Sequence, residues 1–228
     1  KGNKITRKTL KKDYVKCIID HAVSRWNIKY LSFTGGEPFI FFDEIMELVK
    51  YASNQGVKYI RTGTNGFQFQ YESSNISNFE KKVNLIAEKI LMSNLYTLWI
   101  SIDSSDPNIH ERMRGFPGII KGIEKAIKIF EKFGLYPAVN LGINRNIAGD
   151  YDPSEIRSFD RKNFYDRYRK GFSDFFKLVI NMGFTIANTC YPMSMESGTF
   201  AYHATSKDNI VQFKPEEKAV LFKALYDS

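Results

Sequence analysis

Apolar and polar positions along this chain alternate between a helical and a strand period. Leu10, Tyr14, Cys17, Ile18 and His21 recur at helical spacing. They predict an amphipathic helix over 8–26, with Cys17 on its core-facing side. The apolar run 28–33 reads as a buried strand, and Asp43 is placed to cap a helix that Asn54-Gln55-Gly56 ends. A second strand is predicted over 57–62, closed by Gly63-Thr64-Asn65-Gly66. Phe79, Val83, Ile86 and Ile90 mark a helix, and 95–102 a third strand ending at Asp103-Ser104-Ser105. Ile119, Ile123, Ala126, Ile127 and Phe130 mark the next helix, stopped at Gly134. A fourth strand over 138–143 ends in Asn144-Arg145-Asn146; then come a helix over 161–182 and a fifth strand over 184–189. Lys214-Pro215-Glu216-Glu217 opens a last helix, with proline at its first position and acids in its first turn.

Strand and helix alternate throughout, which predicts a parallel sheet with right-handed crossovers in one α/β domain over 1–228. A parallel sheet pairs each helix with a preceding strand, yet this chain opens on a helix. A first strand is therefore expected upstream of Lys1. Hydrophobic content of 43% in 228 residues suffices for a folded core. The net charge of +8 is concentrated at Lys1, Lys4, Arg7, Lys8, Lys11 and Lys12 and over 157–170. Solvated surfaces account for it more simply than a nucleic-acid partner. The aromatics of the second stretch (Phe159, Phe164, Tyr165, Tyr168, Phe172) sit at helical spacing and read as core. Cys17 and Cys190 are the only cysteines, so there is no disulfide framework, and a reducing, cytoplasmic setting is expected. No apolar run reaches the roughly 18 residues of a membrane span, and no membrane partner is expected.

The candidate chemistry gathers at the carboxyl ends of the predicted strands. Thr34-Gly35-Gly36-Glu37-Pro38 puts two bare backbone units, a carboxylate and a fixed exit at the end of the first strand. In α/β sheets ligands bind at that end, and this group suits an amino or cationic ligand. Asn65, Ser101, Asp103, Asn140, Asn144 and Asn188 fall at or near later strand ends. Singly, each has a structural reading: Asn65 before Gly66 forms turns, and Asp103-Ser104 caps helices. Their coincidence on successive strands predicts a pocket for a small polar ligand. Asn188-Thr189-Cys190-Tyr191-Pro192-Met193-Ser194 can face substrate or simply bend the chain at Pro192, and His203 reads as a loop residue. The long connection beyond residue 146 reads as a lid or as a longer helix.

Thr34–Pro38 resembles the GGE motif of the radical S-adenosylmethionine (SAM) enzymes. Thr64-Asn65-Gly66 resembles the TNG that closes the next strand in that family. Ile100-Ser101-Ile102-Asp103-Ser104 resembles its ribose-contacting strand, and His110-Glu111-Arg112-Met113-Arg114-Gly115 with Gly118 resembles the family's segment C-terminal to that strand. These segments span about residues 28–145 in family order. The resemblance implies a partial (β/α)6 TIM-like barrel, with a first strand and cluster loop upstream, and leaves room for a further domain beyond residue 228. It implies a SAM cofactor whose amino group is held by Gly35, Gly36 and Glu37, with Pro38 fixing the loop. Ser101 and Asp103 would contact the ribose, Asn140 would reach the ribose or carboxylate, Arg114 would pair with the SAM carboxylate or fix its loop, and Asn65 would be mainly structural. No residue is assigned as a catalytic acid or base.

The resemblance further implies a 4Fe–4S cluster, reductive cleavage of SAM to a 5′-deoxyadenosyl radical, and hydrogen abstraction from a peptide, RNA or small-molecule substrate. An electron donor such as flavodoxin or ferredoxin would be the partner. The chain departs from the family in lacking its CxxxCxxC motif, so the cluster cysteines are expected upstream of Lys1. Two other readings stay open: a cluster-free barrel that binds SAM or a nucleoside, and a barrel lyase using Glu37 or Asp103 as base.

Overall fold

The computed structural model describes residues 10–152, 159–191, 194–195, 202–203 and 209–228. The predicted basic start at residues 1–8, Arg157, Pro192 and Met193 lie outside the described residues. The chain runs α1 (Lys12–Trp26), β1 (Tyr30–Phe33), α2 (Phe42–Asn54), β2 (Tyr59–Thr64), α3 (Ile76–Ser93), β3 (Thr97–Ser101), α4 (Pro107–Arg114), α5 (Ile119–Lys132), β4 (Ala138–Gly142), α6 (Arg161–Met182), β5 (Ala187–Cys190), β6 (Ser194–Met195), β7 (Tyr202–His203) and α7 (Pro215–Tyr226). Strands β1 to β5 form one sheet in the order β1-β2-β3-β4-β5, and its registered pairs are parallel. Winding in one direction, with no reversal of strand order, is the topology of a barrel wall rather than of a doubly wound sheet. The α/β expectation with consecutive parallel strands is met.

The chain divides into two compact units, one of residues 1–63 and 85–98, the other of residues 64–84 and 99–228. In the first, β1 pairs with β2 from Tyr30 opposite Tyr59 to Phe33 opposite Thr62. Ile60 is fully buried while Tyr59 and Arg61 are exposed, the alternation of a strand covered on one face. Phe39, Met46, Val49 and Ala52 complete this core.

Helix α1 departs from its predicted orientation. Leu10, Tyr14, Cys17, Ile18 and His21 are all exposed, and Ile19 is the buried residue. Cys17 is thus a surface residue rather than a core one. The physical reason lies on the row one position round the helix. Lys12 and Lys16 pair with Glu47 of α2, and Asp20 accepts from the Tyr51 hydroxyl at 2.6 Å. Those contacts turn residues 12, 16, 19 and 20 toward α2 and carry the apolar stripe away from it.

In the second unit α5 buries the predicted face, Ile119, Ile123, Ala126, Ile127 and Phe130. Gly122 lets it lie against the 3-10 turn at Phe67–Phe69, since a Cβ there would sit 1.6 Å from the Phe69 carbonyl oxygen. Helix α6 has the predicted bounds; of the five aromatics read as core, Tyr168 and Phe172 are buried, while Phe159, Phe164 and Tyr165 are half-buried. Helix α7 packs on it, with Tyr165 donating to Asp227 at 2.6 Å.

Other differences are local. Asp43 lies in the first turn of α2, not at its cap, because the 3-10 turn Pro38–Phe41 leads directly into the helix. The region after β3 holds an unpredicted helix, α4, capped by Asp106 rather than by Asp103 or Ser104. β5 sits later than predicted and includes Cys190. His203 lies in the two-stranded antiparallel ribbon β6–β7 rather than in a loop. No helix among the described residues is long and apolar enough to cross a membrane.

Candidate cofactor site

Gly35, Gly36, Glu37 and Pro38 belong to the first unit; Asn65, Ser101, Asp103, Arg114 and Asn140 belong to the second. In the first unit the Thr34–Gly36 turn is exposed at the carboxyl end of β1. Gly35 and Gly36 have φ of +98° and +59°, the left-handed region that L side chains avoid. A Cβ at either position would meet nothing within 4 Å, so backbone conformation rather than crowding demands glycine. Glu37 is half-buried, and its Oε1 accepts from the Phe39 backbone N–H at 3.0 Å, fixing the carboxylate against the turn that Pro38 opens. Fully buried Phe39 anchors the loop from beneath, and the Thr62 hydroxyl ties the end of β1 to β2 by donating to the Phe33 carbonyl at 2.9 Å.

In the second unit Asn65 makes a side-chain turn: its Oδ1 accepts from the Phe67 N–H at 2.9 Å, while Thr64 Oγ1 accepts from the Gly66 N–H at 3.0 Å. Ser101 ends β3, half-buried, and stands in register with Asn140 of β4, which stands in register with Asn188 of β5. The Asn140 amide donates to Cys190 Sγ at 3.7 Å.

Asp103 is held from two sides. Its Oδ2 lies 2.5 Å from Arg114 Nε in an ion pair, and its backbone N–H donates to His110 Nδ1 at 3.1 Å. Arg114 is thus joined to Asp103. His110 is fully buried on α4, and burial pushes its pKa down to about 4 despite the nearby Asp103 carboxylate. It is therefore neutral at physiological pH. With Nδ1 accepting, the proton sits on Nε2, which is buried with no hydrogen-bond partner among the described residues.

The ends of β3 and β4 are bolted together. Asn144 Nδ2 donates to the Asp103 carbonyl at 2.7 Å, Ser104 Oγ to the Asn146 carbonyl at 2.9 Å, and Ser105 Oγ to the Ile147 carbonyl at 2.8 Å. Next to this seam Arg145, 4% exposed, makes a bidentate pair with Glu217 of α7, at 3.2 and 2.7 Å. Arg145 also donates to the Gln212 carbonyl at 2.6 Å and lies 4.4 Å from the centre of the Phe213 ring. Burial works against the Arg145 charge, but the hydrogen bond and attraction from Glu217 outweigh it and raise its pKa. Glu217 further accepts from the Lys214 N–H at 2.7 Å, closing a capping box. The sequence alone presents Arg145 as part of a strand end and Glu217 as a first-turn acid. The capping-box spacing from Lys214 to Glu217 is the only local signal of their role.

The residues present do not fit an iron–sulfur cluster. The chain has two cysteines, both exposed and in different units, where a cluster takes about three or four thiolates. Among the described residues no three His, Cys, Asp or Glu side chains are grouped to hold a metal.

No protein-family model matches the chain. It is 32% identical over 140 residues to a probable GTP 3′,8-cyclase of Pyrococcus abyssi, covering 60% of this chain and 40% of that protein. A probable GTP 3′,8-cyclase of Pyrococcus horikoshii is 32% identical over 129 residues, covering 55% and 36%. The match thus spans about two fifths of the length of these curated relatives. A solved domain of a pyruvate-formate lyase-activating enzyme from Bacteroides vulgatus covers 70% of this chain and 97% of its own, at 14% identity and a TM-score of 0.39, too low to carry a fold argument. The chain is thus similar to these two probable GTP 3′,8-cyclases, and its four ordered motif segments resemble those of the radical SAM enzymes.

Proposed function

We propose that this chain is the SAM-binding core of a radical SAM enzyme whose cluster thiolates lie outside the present sequence. The observation that carries the reading is the Gly35-Gly36-Glu37 turn, two left-handed glycines leading into a half-buried carboxylate at a strand's carboxyl end. In this reading Glu37 accepts the ammonium of the methionine moiety in a charge-assisted hydrogen bond, and the bare backbone of Gly35 and Gly36 lets that moiety approach. Ser101 and Asn140 receive the ribose. Asp103 and Arg114 fix the turn beyond β3, and Asn65 shapes the turn after β2. The protein's share of the chemistry is binding, orientation and exclusion of water, as for cofactor enzymes in general. The substrate is a peptide, an RNA or a small molecule, and the GTP named for the curated relatives makes a nucleotide the first to test. A reductant protein of the flavodoxin or ferredoxin kind would serve as electron donor.

The lyase alternative is weakened at Asp103, whose carboxylate is engaged by Arg114 and not poised as a base. The decisive experiment uses the natural full-length protein prepared without oxygen. Iron and sulfide are assayed, and 5′-deoxyadenosine is sought after adding SAM and dithionite. A cluster with SAM cleavage supports the reading; SAM binding without a cluster favours the cluster-free alternative; neither would sink it.

A further inference from the structure

The geometry points to His110 as a positioning residue: a neutral imidazole whose Nδ1 lone pair sets the conformation of the Ser101–Asp103 segment for ligand binding. Its role rests on the proposed reading of that segment as part of the SAM site. Three observations carry it. First, the Asp103 N–H donates to Nδ1 at 3.1 Å, so His110 holds backbone immediately after the end of β3. Second, the ring is fully buried and its Nε2 has no partner among the described residues, an arrangement that packing alone would not select. A leucine would fill the space without burying an unpaired N–H, so the acceptor at Nδ1 is what histidine contributes. Third, Arg114, one helical turn on from His110 along α4, takes the Asp103 carboxylate at 2.5 Å. The two side chains together grip both the amide and the carboxylate of one residue. With its amide and carboxylate so gripped and its carbonyl held by Asn144, Asp103 fixes the chain just beyond Ser101.

Two substitutions separate this role from simple packing. His110→Leu keeps the volume and removes the acceptor; His110→Asn places an amide oxygen close to where Nδ1 stands. SAM is the probe, with affinity measured by isothermal titration calorimetry on the full protein, and thermal unfolding is followed alongside. His110→Leu is expected to keep a cooperative fold yet bind SAM at least tenfold more weakly, and His110→Asn to recover most of that loss. Hydrogen exchange at the Asp103 amide gives a readout independent of SAM: exchange should quicken in His110→Leu and slow again in His110→Asn. If His110→Leu binds SAM as the parent does, the positioning role is wrong. If the parent itself binds no SAM, the site reading fails, and the exchange data still decide whether His110 anchors Asp103. Unchanged Asp103 exchange in His110→Leu overturns the inference in every case.

Discussion

The loop after β1 and the loops after β3 and β4 do similar topological jobs by opposite means. Thr34 to Gly36 is exposed, and its shape comes from backbone conformation, with two glycines at positive φ and the Glu37 carboxylate accepting from the Phe39 N–H. The loops at Asp103–Ser105 and Asn144–Ile147 are shaped by polar side chains turned inward. Ser104, His110, Asn144, Arg145 and Glu217 are all buried, and every one but His110 makes at least two side-chain hydrogen bonds among those described. The first design is exposed and, in the proposed reading, offers its polar groups to the ligand, so a change to its carboxylate should cost little stability. The second commits its polar groups to the scaffold, so its removal should be felt as unfolding. Substitutions in the two regions should therefore separate into stability effects and binding effects.

Glu217→Ala should be the most damaging change. It strands the buried Arg145 guanidinium and removes the capping box of α7, and breaking a buried pair costs about 3–5 kcal/mol. Urea midpoints would register the loss. Replacing both partners with apolar residues, as in Arg145→Met with Glu217→Leu, should be milder than Glu217→Ala alone, because no buried charge is left unpaired. Equal damage from the double variant would mean that the backbone bonds of Arg145, rather than its ion pair, hold the seam.

Acid should loosen the same region next. The folded pKa of His110 lies below its unfolded value, lowered from 6.5 to about 4. As pH falls through that window the unfolded chain takes up the proton first, so stability present above pH 6.5 is progressively lost toward pH 4. The full loss is about 3 kcal/mol by linkage. Carboxylates add their own slope, so the measurement is the difference between parent and His110→Leu unfolding curves across that range. A difference that does not vary with pH would contradict a buried neutral histidine. Asn144→Ala should follow, at about 1–3 kcal/mol, since it deletes donors to the Asp103 and Gly142 carbonyls and the acceptor for the Asn146 N–H.

The same contrast explains what can be read in the sequence. Helices α5 and α6 are legible because Ile119, Ile123, Phe130, Tyr168 and Phe172 repeat at the helical period and do face the core. The Gly35-Gly36 turn is legible because glycine pairs have few uses other than unusual backbone. Helix α1 misleads on orientation: its stripe at Leu10, Tyr14 and Ile18 is real, but the ion pairs of Lys12 and Lys16 to Glu47 decide which side packs. Arg145 and Glu217 are invisible because they lie 72 positions apart and each type is ordinarily a surface residue. His110 has a motif position but no local sign of burial. Long-range polar partnership leaves no periodic trace, so the scaffold of the candidate site is harder to see than the residues assigned to the ligand.

The smallest stability effect should come with the largest functional one. Glu37→Gln keeps an oxygen able to accept from the Phe39 N–H, so the turn at Pro38–Phe41 should persist and stability should change by less than about 0.5 kcal/mol. What it removes is the negative charge proposed to meet the SAM ammonium. Hydrogen bonds to charged groups contribute about 1.5–3 kcal/mol, so SAM affinity should fall by roughly ten- to a hundredfold. Gly36→Ala tests the loop from the backbone side: its φ of +59° should cost an alanine about 1–2 kcal/mol, or displace the turn and with it Glu37. If Glu37→Gln binds SAM normally while Gly36→Ala does not, the loop's role is carried by its backbone and the carboxylate serves as a cap. If Glu37→Gln unfolds as readily as Glu217→Ala, the contrast between an open ligand loop and a bolted scaffold is lost.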